Sequence, residues 1–158
     1  MEDTEDAPWG TVETGDFPPF HSAARMRDVA TVVKELASGV DVDFVCELAK
    51  NGDGGNTALW YAAQGPWPGG IEVAKVLVKA GAEINRQCEH GRTALHMAAA
   101  WGHLDLVKFL LEQSADPSIR DEENMTSPMV ARHGYRSNRV THDERREVAL
   151  YFDSLGLE

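Results

Sequence analysis

The thiols and imidazoles of this chain are its most plausible chemical groups. Cys88, Glu89 and His90 are consecutive, and His96 and His103 follow closely. A thiol, a carboxylate and imidazoles together would suit a metal ion, or a thiolate nucleophile with an imidazole base. The spacing argues against both. No C-x-x-C pair or H-x-x-x-H pair occurs. A catalytic Cys46 or Cys88 would also need a convergent pocket and an oriented base. Gly52-Asp53-Gly54-Gly55 lacks the Gly-Lys-Ser/Thr that completes a phosphate loop, so it reads as a glycine-rich turn. No metal, cofactor or catalytic residue is expected.

The elements that carry these residues repeat. Gly91 to Leu111 holds a turn glycine, a capping Thr93, a small-residue helix, a Gly102-His103 break and a second apolar helix. Asn56 to Ala63 begins the same pattern. Ile71 to Leu104 and Ala82 to Ala115 are both 33 residues apart, whereas Thr57 to Thr93 is 36. Three extra residues therefore fall in Gln64-Gly65-Pro66-Trp67-Pro68, where two prolines and a glycine should end the helix early and leave Trp67 protruding. A period near 33 residues signals a solenoid, in which no unit buries its own apolar face.

Repeat three resembles the ankyrin repeat, whose pattern is T-P-L-H-x-A-A-x-x-G-H followed by a second helix and a Gly-Ala-Asp hairpin. Ala94 stands where proline is usual. Repeat one is weaker. Phe20 to Ala24 matches Leu95 to Ala99, and six extra residues fall in the turn between Phe44 and Gly55, with a short helical turn expected over Phe44 to Ala49. Repeat four is degenerate. Thr126 to Ala131 echoes a first helix with proline for leucine, and about eight extra residues follow around Gly134 to Thr141. A capping box at Thr141 to Glu144 should start its second helix. There Val148, Tyr151, Phe152 and Leu155 form an apolar stripe beside a polar face of Arg145, Arg146 and Glu147. The expected fold is an all-α solenoid of four helix-turn-helix units joined by hairpin-like turns, over residues 18–44, 52–85, 88–120 and 121–157. Residues 1–17 read as an acidic disordered tail, with Ala7-Pro8-Trp9-Gly10 as the one place where it could dock.

The formal net charge is −11, and residues 1–19 hold six acidic residues and no Lys or Arg. That balance disfavours nucleic-acid binding, which needs Lys and Arg on phosphates. No segment approaches a membrane span, and no basic-plus-apolar leader opens the chain. Two cysteines in turn regions suggest reduced thiols in cytosol or nucleus.

The resemblance implies a non-enzymatic binding protein, read as a monomer, that takes a protein or peptide on its concave face. Transferred residue by residue, that face holds Arg25 and Met26 from repeat one, and Asp53, Asn56, Gln64 and Trp67 from repeat two. Glu89, His90, Arg92 and Trp101 come from repeat three, and Glu122, Glu123, Met125 and His133 from repeat four. An aromatic centre inside an acidic rim favours a basic partner. Trp67 and Trp101 packing on each other is the alternative role for that pair. Trp60 fills the usual histidine slot and reads as structural. Two other functions fit the same features: a regulatory or inhibitory subunit of an enzyme, and an acidic carrier of a basic client. The resemblance also marks Asn85, eight residues after Leu77, as a hydroxylation candidate, against a structural role within its own turn.

Overall fold

The computed structural model describes residues 18–46, 55–66, 69–135 and 142–157, so the tail lies outside it. Among the described residues the chain forms eight α-helices, with one isolated antiparallel bridge and no strand. Helix α1 (Pro19–Met26) starts on Pro18 and Pro19, whose ring-fixed φ suits a first turn. Helix α2 (Val29–Ala37) is capped by Asp28, which accepts from the Thr31 N–H at 3.1 Å. Helices α3 (Ala58–Ala63), α5 (Ala94–Trp101) and α7 (Ser127–His133) each begin after a threonine. The hydroxyls of Thr57, Thr93 and Thr126 accept from the N–H three residues on. Helices α4 (Gly70–Lys79), α6 (Leu104–Glu112) and α8 (His142–Ser154) complete the four pairs. At six residues α3 is short, and Gly65-Pro66 follows closely, as the insert there requires.

The pairs stack in order. α1, α3, α5 and α7 form an inner row, α2, α4, α6 and α8 an outer row, and each pair packs only against its neighbours. Alanines at 23–24, 62–63 and 98–99 are at most 5% exposed and let the inner helices approach closely. Between the outer helices, Val73 and Leu77, Leu106 and Leu110, and Val148 and Phe152 occupy equivalent slots and are buried. Repeat one has Thr31 and Glu35 in these slots, both half-buried. The last repeat has Asp153 where Leu36, Val78 and Leu111 stand, and Arg132 where the second alanine stands, and the two pair. The outer flanks of the first and last described units thus both carry polar residues.

The turns repeat one bond. The N–H of Cys46, Cys88 and Asp121 donates to the carbonyl of Asn56, Arg92 and Met125 respectively. The first pair lies ten positions apart and the others four, so the six-residue excess sits inside the first turn. Hairpins are tied in the same way: Asp43 accepts from the Glu83 N–H, and Asn85 from the Asp116 N–H at 2.8 Å.

Four expectations need correction or fall outside the described residues. Phe44 to Cys46 is not helical, because Cys46 is drawn into the bridge with Asn56, and residues 47–49 are not described. Thr141 also lies outside the described residues. Leu155 is 49% exposed. The helix stops at Ser154, Gly156 turns the chain at φ 70°, and Leu157 returns to donate to Phe152 and pack on the core. Arg145 is buried rather than on the polar face, with its guanidinium lying where a side chain on Gly134 would be.

Burial sets the energetic contrast. Leu110→Ala should lower unfolding free energy by about 2–5 kcal/mol in urea titration, whereas Leu155→Ala should change it by less than about 0.5 kcal/mol. Equal effects would contradict the packing described.

Candidate functional site

The thiols and imidazoles do not converge. Cys46 and Cys88 are free and buried. Burial pushes the Cys88 thiol up from its ordinary value, the wrong direction for a nucleophile, and its nearest polar neighbour is the Thr57 hydroxyl at 3.8 Å. Among the described residues no group of three or more His, Cys, Asp or Glu gathers as a metal site. A shallow cleft of about 310 Å³ between the starts of α4 and α6 is lined by residues such as Gly70, Leu104 and Glu147, and no thiol reaches it.

The histidines hold the repeats together. His96 Nε2 donates to the Met125 carbonyl at 3.0 Å, so Nδ1 accepts from the Thr93 N–H at 3.2 Å. Both ring nitrogens are engaged in the neutral tautomer, and a second proton would face a donor. His21 bonds the Phe44 carbonyl at 2.8 Å, and His103 the Gly65 carbonyl at 2.6 Å. Trp60 fills the matching slot in repeat two, 3% exposed, with its ring edge-on to Tyr61. Asn85 crosses to the next hairpin instead of bonding its own turn.

The expected concave residues divide into four groups. Asp53 and Trp67 lie outside the described residues. Met26 is 66% exposed, and the Glu122 and Glu123 side chains are 65% and 53% exposed. His133 is exposed, and His90 projects at φ 56° between Glu89 and Glu122. Arg25, Gln64, Glu89, Trp101 and Met125 are half-buried. The Gln64 carbonyl accepts from Arg27 at 2.6 Å, and Arg27 also bonds the Tyr61 carbonyl, a cation placed over the end of α3.

Two residues are turned inward. Asn56 is 2% exposed, which corrects its placement on the partner surface. Its oxygen accepts from the Glu89 N–H at 2.9 Å and its amide donates to the Glu89 carboxylate, tying two turns together. Arg92 is also committed within the chain. Its guanidinium lies 3.6 Å from the Tyr135 ring centroid and pairs with Glu123 at 2.5 Å. Tyr135 donates to Asp121 at 2.6 Å, and burial followed by this bond pushes its pKa up. Tyr135, Asp121 and Arg27 were not expected from sequence. The one signal for Tyr135 was an aromatic residue inside the insert of repeat four.

A family model described as ankyrin repeats, in three copies, matches residues 18–121. The chain belongs to the ankyrin-repeat family. The match ends where the degenerate fourth ankyrin unit begins. Relatives include the E3 ubiquitin-protein ligase hecd-1 of Caenorhabditis elegans, 33% identical over 84% of this chain and 4% of that protein. Ankyrin repeat and KH domain-containing protein mask-1, from the same organism, is 30% identical over 72% of the chain and 4% of its own length. Chicken inversin is 33% identical over 67% of the chain and 9% of its length. The chain thus spans less than a tenth of each of these proteins. Ankyrin repeats form a non-catalytic fold that serves as a protein-interaction module. Among the described residues no helix is long and apolar enough to cross a membrane.

Two stability tests follow from these contacts. Asn56→Ala should cost about 1–3 kcal/mol in urea titration, the range for a buried hydrogen-bonding group; an unchanged midpoint would contradict its role as a tie. Burial holds the pKa of His21, His96 and His103 below the ordinary imidazole value. The unfolded chain takes up these protons near pH ~6.5 while the folded chain resists them, so stability falls as pH drops through that value. Each histidine contributes at most about 1.4 kcal/mol per pH unit. His96→Gln should lower stability at alkaline pH yet flatten this slope; parallel slopes for variant and parent would contradict the account.

Proposed function

We propose that this chain is a monomeric protein-interaction module that binds a basic protein or peptide along the concave face of its repeats. The observation that carries this reading is the acidic edge of that face. Glu122 stands well exposed and Glu89 half-exposed on stacked turns, and Glu123, though paired with Arg92, keeps about half of its side chain in solvent. Met26 adds an exposed apolar side chain at the repeat-one end. A formal net charge of −11 extends the same field over the molecule. Such a field speeds encounter with a basic partner more than it deepens affinity. The free, buried cysteines fit a reducing compartment, cytosol or nucleus.

The test is charge reversal on the exposed edge. A Glu122→Lys, Glu123→Lys variant should weaken capture of lysine- and arginine-rich peptides from a synthetic array by roughly tenfold at low salt. The difference should shrink at about 0.5 M salt, where screening is nearly complete at contact range. Met26→Glu should weaken neutral apolar contacts without that salt dependence. Capture indifferent to all three substitutions would remove the concave-face reading.

A further inference from the structure

The inner face is not equally open along its length. Counting from the capping threonines, the positions that face the groove in α5 are Met97, Ala100 and Trp101, and the position matching Met97 in α7 is Val130. In an open groove these positions meet solvent or a partner. Here Met97 is 6% exposed, and Ala100 and Val130 are 0% exposed. Tyr135 lies over two of these three positions, Ala100 and Val130. Its ring packs with Ala100 and Val130, and with the partly buried Trp101 and Met125.

Three contacts fix the ring there. Its hydroxyl donates to Asp121 at 2.6 Å, while the other Asp121 oxygen accepts from the Met125 N–H at 2.9 Å. Arg92 stacks on the ring, its guanidinium carbon 3.6 Å from the centroid. Gly134, at φ 65°, makes the turn that sends the ring back along α7, in a conformation that resists side chains. Of the matching positions, Met26 in repeat one is 66% exposed and Arg25 half-buried, whereas Tyr61 in repeat two, the counterpart of Met97, is 8% exposed.

We infer that Tyr135 is a built-in plug that closes the groove over repeats three and four. The inference rests on the concave-face reading of function. A partner that reached Trp101 would bind only molecules in which the plug is out, and its apparent affinity would be reduced by the open fraction. Asp121 and Arg92 set that fraction, because releasing the ring leaves a buried carboxylate without its hydroxyl donor. The gate over repeats three and four is thus a side chain of the chain itself.

The experiment reads accessibility and needs no partner. Ala100→Cys places a thiol beneath the ring, and Ser118→Cys, at an exposed hairpin position, serves as control. Maleimide labelling of the full folded chain is followed by peptide mass spectrometry, so that the native cysteines do not contribute. With Tyr135 in place, Cys at 100 should label at least about tenfold more slowly than Cys at 118. Adding Tyr135→Ala should bring it close to the control rate with helical content unchanged. Tyr135→Phe, which loses only the bond to Asp121, should fall between. Should Tyr135→Ala lose helical content, Tyr135→Phe and Arg92→Met decide, each accelerating labelling several-fold. Fast labelling beneath an intact Tyr135, or labelling unmoved by the folded variants, would overturn the plug. Either result would leave the concave-face reading standing, since peptide capture and charge reversal test that separately.

Discussion

Burial between neighbouring units governs this molecule. Each helix pair packs on itself but carries further apolar side chains on its flanks, so the burial of Leu77, Val107, Leu110 and Phe152 is completed by the adjacent pair. Each such side chain contributes roughly 1.5–3 kcal/mol relative to exposure. Stability is then a chain of nearest-neighbour terms. The first and last described units depart from the pattern, each with its own chemistry. Thr31 and Glu35 replace apolar residues on the first outer helix, and the Arg132–Asp153 pair replaces an alanine and a leucine on the last unit.

Apolar stacking alone would let the units slide or twist. Register comes from polar ties that recur at equivalent positions. His21 and His96 each donate to a carbonyl in the next turn, Asp43 and Asn85 each accept from the next hairpin, and Asn56 joins two turns. All are directional and most have at least one buried partner, so a misplaced unit would strand polar groups at a cost of about 1–3 kcal/mol each. The same ties place the turn tips in line, and that line carries the exposed carboxylates.

Much of this was legible in the sequence, because the repeat is a local signal. The capping threonines, the alanine pairs, the shortened α3 and the excess inside the first turn all follow from residue type and spacing. What was not legible depends on contacts between residues distant in sequence. Asn56 sits at a turn position that usually faces outward, and only its bond to Glu89, 33 residues on, shows that it is buried. Arg92 looked like a free partner contact until Tyr135 came back over it. Leu155 fitted a helical period, but Gly156 ended the helix and handed its packing role to Leu157. Period counting sees a helix face; it does not see which turn interrupts that face.

Tyr135 joins the two halves of this account. Tyr135 covers the inner seam between α5 and α7. The Tyr135 ring protects Val130 and Ala100, and its hydroxyl satisfies a fully buried Asp121 carboxylate. The contact that covers this seam is therefore the contact that fills the groove. Strengthening it stabilises the terminal unit and narrows the binding face; loosening it widens the face and exposes the seam. Stability and access pull in opposite directions at this one side chain, as they do wherever a binding surface borrows residues from a structural cap.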